Sequence, residues 1–105
     1  MNDLTIGIKI DDRAITAQGI KVIRGILSLS ISEIKERVAT GAYLYVGDSA
    51  EDEVVDTIIL LYEKLAKAHI KCNVYEFDEL SDIEIIYNMR ESYDEINRQI
   101  DDEET

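Results

Sequence analysis

Leu4, Ile6, Ile8 and Ile10 alternate with Thr5, Gly7 and Lys9. This period of two is the signature of a strand with one buried face, and such a strand needs a partner strand and a covering layer. Asp11-Asp12-Arg13 closes the alternation as a turn, after which the period changes. From Thr16, a candidate N-cap, Ile20, Ile23 and Leu27 recur at helical spacing, with Val22 and Ile26 widening the stripe. Ser28-Leu29-Ser30 interrupts this helix. Ser30 and Glu33 stand three apart, as a capping box requires, and open a second helix through Ile34 and Val38. Gly41 lies where a glycine commonly ends a helix.

Tyr43-Leu44-Tyr45-Val46 is short, aromatic and bounded by Gly41 and Gly47, so it reads as a second strand. Asp48 and Ser49 are competing N-caps for a long third helix. Glu51, Asp52 and Glu53 fill its first turn, Val54, Ile58, Leu61, Tyr62 and Leu65 form its buried stripe, and Lys64, Lys67 and His69 suit its C-terminal end. The segment 71–77 reads as a third strand. A second capping-box pattern, Ser81 to Glu84, opens a final helix to about Ile100. The expected fold class is α+β: a two-layer β-α-α-β-α-β domain with a three-stranded sheet under three helices, plus an extra C-terminal helix. Residues 1–77 form the body, 78–100 the acidic helix and 101–105 a polar tail. The helix is either part of the same domain or an element for a dimer or partner.

Charge is distributed unevenly. The net charge of −12 divides into −2 over residues 1–75, with 11 acids against 9 bases, and −10 over residues 76–105, with 12 acids against 2 bases. Direct nucleic-acid binding, which needs clustered Lys and Arg, is therefore not expected. A basic protein is the partner that such a C-terminal region would attract. No apolar run is long enough to cross a membrane, so no membrane partner is expected. The first ten residues alternate and carry Asp3, unlike a secretory signal, and the single Cys72 forms no internal disulfide. The expected compartment is the cytoplasm.

Catalytic constellations are sparse. His69 and Cys72 are the only residues of their kinds, and their three-residue separation suits a helix-end histidine beside a strand cysteine better than a nucleophile–base pair. They supply only half of a zinc site. Asp48, Glu51, Asp52 and Glu53 lack the alternating spacing of a calcium loop, and neither Gly19 nor Gly25 is followed by the Gly-Lys-Ser/Thr of a phosphate loop. No cofactor or metal is expected, and an enzyme working through dispersed carboxylates is the least favoured alternative.

The stretch Ile20-Lys21-Val22-Ile23-Arg24-Gly25, followed by Leu29, Ile31, Glu33, Lys35 and Val38, resembles the paired helices of the C-terminal domain of the bacterial large-subunit ribosomal stalk protein. A looser correspondence runs from about Leu4 to Glu76, and the Clp protease adaptor is similar at the level of fold, without its binding motif. In the stalk family this helix pair binds translational GTPases, and the resemblance implies Ile20, Lys21, Arg24 and Lys35 as contact residues. This sequence departs from the family where Ser28 and Ser30 replace glycines, where Ser32 replaces a lysine, and in having no dimerisation region or alanine-rich hinge.

In the final helix, Ile86, Met89, Tyr93, Ile96 and Ile100 are spaced alternately three and four, a narrow seam of the coiled-coil type. The seam either docks on the body, over the bare face of the sheet, or binds a second copy or a partner's groove. The preferred functional expectation is a non-catalytic immunity- or antitoxin-type inhibitor that occludes a basic partner. Its acidic face would comprise Glu76, Asp78, Glu79, Asp82, Glu84, Glu91, Asp94 and Glu95. The alternative is a stalk-like module that binds a translational GTPase through Ile20, Lys21, Arg24 and Lys35. A homodimer through the last helix is compatible with both.

Overall fold

The computed structural model describes residues 5–92. Within them the order is β1 (Thr5–Ile10), α1 (Ala17–Ile26), α2 (Ile31–Thr40), β2 (Tyr45–Asp48), α3 (Asp52–Lys67), β3 (Cys72–Glu76) and β4 (Glu79–Leu80). A fourth helix, α4, follows over residues 83–92. The four strands form one antiparallel sheet in the order β2-β1-β3-β4. The α+β class thus holds, while the expected three-stranded sheet gains a strand.

The additional strand comes from an unusual turn. Phe77 and Asp78 both adopt left-handed backbone conformations, with φ of 55° and 65°. Two consecutive positive φ values make a tight two-residue hairpin, which pairs Glu76 with Glu79 and Tyr75 with Leu80. Such turns normally carry Asn-Gly or Asp-Gly, so Phe-Asp gives no hairpin signal in the sequence. The boundary drawn at residue 77 falls inside this turn.

Alternation in β1 decides the two faces of the sheet. Ile6, Ile8 and Ile10 are buried beneath the helices, joined by Val74 and Cys72 of β3. The apolar stripes of the helices complete the core: Ile20 and Ile23 from α1, Ile34 and Val38 from α2, and Val54, Val55, Ile58, Ile59, Leu61 and Leu65 from α3. Full burial of one such side chain contributes roughly 1.5–3 kcal/mol, which makes this stripe pairing the main determinant of the fold. Tyr62, expected in the stripe, is half-buried at its margin.

Local capping follows the sequence at three ends and departs from it at two. Thr16 Oγ1 accepts from the Gly19 amide at 3.2 Å, and Ser30 Oγ accepts from the Glu33 amide at 3.1 Å. Gly41 ends α2 with φ of 72°. The cap of α3, by contrast, is Glu51, without a side-chain hydrogen bond, because Asp48 Oδ1 instead accepts from the Ala50 amide at 2.9 Å. Asp82, not Ser81, accepts from the Glu84 amide at 3.2 Å. The Ser81 amide is already committed to the Val74 carbonyl through the unforeseen hairpin.

The last helix packs on the body, but not over the sheet's bare face. Ile86 is completely buried in the common core, with Ile83, Tyr87 and Met89 packed around it. Arg90 reaches Asp56 of α3 at 3.4 Å. Tyr87 lies beside Tyr62 and Glu63 of α3, and burial, then the Glu63 carboxylate, pushes its phenol above the ordinary range. These pairs run α4 antiparallel to α3. Tyr93, Ile96 and Ile100 lie outside the described residues.

Candidate partner-binding groove

The α1–α2 pair turns its inner sides to the core and leaves a groove along its outer side. α1 ends at Leu27, whose extended conformation (φ −113°, ψ 146°) turns the chain, and Ser30 restarts it as α2. The two helices are thereby set side by side. Ala17, Ile20, Lys21 and Arg24 of α1 face Ile31 and Lys35 of α2 across an open groove of about 410 Å³. The four residues carried over from the stalk resemblance, Ile20, Lys21, Arg24 and Lys35, all line this one groove.

The groove has an apolar floor and a cationic rim. Ile20 is 9% exposed and anchors the floor, whereas Ile31 is 45% exposed. Lys21, Arg24 and Lys35 are exposed. Among the described residues none of the three makes an ion pair; the ion pairs there are Lys71–Asp11 and Arg90–Asp56. Three unneutralised cations around exposed apolar surface form a positive patch on a chain of net charge −12. Lys21 also lines a second groove, of about 660 Å³, on the other flank of α1 with Val22, Gly25, Ile26 and Lys64.

Gly25 has no packing duty there: a Cβ built on it would meet nothing within 4 Å. Glycine near a helix end costs up to about 1 kcal/mol relative to alanine. Gly19 is different, since its Cβ would overlap the side chains of Ile70 and Ile15. One glycine of α1 is thus required by the core, while the other only flattens the outer surface.

Sequence reasoning missed Ala17 and Ile31. Ile31 stands three and seven residues before Ile34 and Val38, a spacing that fits a buried stripe, so nothing in the periodicity marks it as exposed. Arg37, the other cation of α2, is committed elsewhere: its Nη1 donates to the Leu44 carbonyl at 2.9 Å and ties α2 to the start of β2.

The acidic set is more dispersed. Asp78, Glu79, Asp82 and Glu84 are exposed at the β3–β4 turn and the start of α4. Glu76 is half-buried at the end of β3, and Glu91 is exposed two turns further along α4. Asp94 and Glu95 lie outside the described residues. Asp78 also accepts a hydrogen bond from Tyr43 Oη at 2.7 Å.

His69 and Cys72 share a shallow groove of about 380 Å³ at the α3–β3 junction. His69 takes φ of 63° where α3 ends. Burial, with Asp11 adding to it, pushes the Cys72 thiol up to about 12, so the neutral thiol, a weak nucleophile, prevails at pH 7. Among the described residues no group of three or more His, Cys, Asp or Glu could hold a metal ion, and no helix is long and apolar enough to cross a membrane. No protein-family model, curated protein or solved structure matches this chain.

Proposed function

We propose that the protein is a non-catalytic protein-binding domain whose principal site is the α1–α2 groove, and that the groove receives an acidic segment of another protein. The observation that supports this most is the convergence of Lys21, Arg24 and Lys35, none of them ion-paired among the described residues, around Ile20 and Ile31. Apolar floor and cationic rim would act together: side chains of the partner lose water against Ile20 and Ile31, while its carboxylates meet the three cations. Arg24 can form paired hydrogen bonds to a carboxylate, so it is the rim residue expected to matter most. A translational GTPase is the partner class that the stalk resemblance suggests.

The test is capture from native lysate by the tagged chain and by its Arg24→Glu variant. A protein held by the parent and lost with the variant supports the groove. Equal retention by both chains contradicts it.

An acidic inhibitor of a basic protein is the second reading. It is favoured by the exposure of Asp78, Glu79, Asp82 and Glu84 within one short stretch at the β3–β4 turn and the start of α4. Neutralising these four residues would abolish capture of a basic protein if this reading holds, and leave it intact if it fails.

A further inference from the structure

The sheet face turned away from the helices carries an apolar row. Register pairs Gly7 with Val46 on one side and with Tyr75 on the other, and Tyr75 with Leu80. Paired residues point to the same face, so Val46, Gly7, Tyr75 and Leu80 form one line across all four strands. Tyr43 lies over Gly7, whose missing Cβ would come within 2.6 Å of its ring. Tyr43 meets Tyr75 edge-on at 5.6 Å, and Lys9 Nζ sits 4.6 Å from both ring centres. The ends of the row remain open: Val46 is 47% and Leu80 68% exposed, with Phe77 43% exposed on the adjoining turn.

Two acids, Asp48 and Asp78, border this row. Asp48 shares the face through its pairing with Thr5, and Asp78 is bonded to Tyr43. Glu76 and Glu79, partners across the hairpin, belong to the helix side of the sheet, because Glu76 pairs with the buried Ile6. Among the described strand residues, the cation on this face is Lys9, already engaged by two aromatic rings. A second copy of the chain would bring another net charge of −12 against these acids, so charge disfavours self-association here.

We infer that the open sheet face is a docking surface for a basic protein segment that presents apolar side chains to the Val46–Tyr43–Tyr75–Leu80 row. The inference rests on the second reading above for the sign of the partner's charge, and adds to it where the contact is made and what anchors it. Cations of the partner face Asp48 and Asp78, while its apolar side chains lose water against the row.

The experiment is selection of 12-residue peptides from an unbiased display library against the full chain, followed by titration of enriched peptides into parent and variants. The expected peptides combine Lys or Arg with aromatic or branched aliphatic residues, and bind Leu80→Asp at least ten-fold more weakly. That variant adds a carboxylate to an exposed position, so attraction by charge alone would strengthen. Weakening therefore reports the apolar contact, and an unchanged amide NMR spectrum away from β4 verifies the fold. Basic peptides that bind Leu80→Asp as tightly as the parent, but lose binding to Asp78→Asn/Glu79→Gln, would overturn the docking row and leave the inhibitor reading standing. Insensitivity to both variants would overturn both. A concentration-dependent dimer that Leu80→Asp abolishes would overturn the inference by making a second copy the occupant.

Discussion

Gly7→Ala probes how the open face of the sheet is built. The new methyl would sit 2.6 Å from Cδ1 and Cε1 of Tyr43 and 3.2 Å from the Tyr45 carbonyl oxygen. The backbone of β1 cannot retreat, because Gly7 is paired with Val46 and Tyr75 on its two sides. The ring of Tyr43 must move instead. Its position is held by the 2.7 Å bond to Asp78, the edge contact with Tyr75 and the approach of Lys9. An aromatic pair is worth about 0.5–1.5 kcal/mol and a surface cation–π contact about 0.5–1 kcal/mol. Against these losses stands a gain of roughly 0.5–1 kcal/mol for replacing a strand glycine with alanine. With overpacking strain of about 1–3 kcal/mol, the expected net loss is about 1–5 kcal/mol. Urea unfolding followed by circular dichroism measures it, with an unchanged m-value if only stability has altered. The decisive control is Tyr43→Ala, in whose background Gly7→Ala should be neutral or slightly stabilising. A loss of the same size in both backgrounds would refute the account, since it would show that Tyr43 is not what excludes a side chain at position 7.

Three further outcomes are expected. Gly25→Ala should stabilise the fold by about 0.5–1 kcal/mol in the same urea assay, because its Cβ meets nothing, while weakening any partner that lies flat on α1. Phe77→Asn should raise the thermal midpoint, since relief of about 1 kcal/mol of left-handed strain corresponds to roughly 4–8 °C in a domain of this size. Alkaline pH should destabilise the protein. The Cys72 thiol stands near 9 when unfolded and at about 12 when folded, so above pH 9 the unfolded chain releases the proton first and stability falls as pH rises toward 12. The Tyr43 phenol, pushed from 10 to about 12 by burial and then by its bond to Asp78, adds to this slope from pH 10. Cys72→Ala should remove the part of the slope that begins at pH 9, measured by unfolding at fixed pH values.

Elements with a strong period were legible in the sequence, and those set by backbone conformation were not. The alternation of Ile6, Ile8 and Ile10, the stripes of the first three helices and the caps at Thr16 and Ser30 all follow from local pattern. The β3–β4 hairpin escaped because Phe77 and Asp78 adopt a conformation that their types do not announce. With the Ser81 amide paired to Val74 in that hairpin, the cap of α4 falls one residue later, on Asp82. The position of α4 depends on Ile86 meeting the core beside α3, a tertiary preference that spacing alone does not distinguish from coverage of the bare sheet. At the groove, resemblance named Ile20, Lys21, Arg24 and Lys35, and geometry added Ala17 and Ile31. The row across the open face needed strand register to be seen, because Val46, Tyr75 and Leu80 come from three separate strands.

The groove is tested most directly by photo-cross-linking in native cells, with benzoylphenylalanine in place of Ile31 and, as a control on another exposed apolar position, in place of Leu60. A protein adduct is expected from position 31 that disappears when Arg24→Glu is added, and none of that size from position 60. An adduct from position 60 with none from position 31, or one at 31 indifferent to Arg24→Glu, would contradict it.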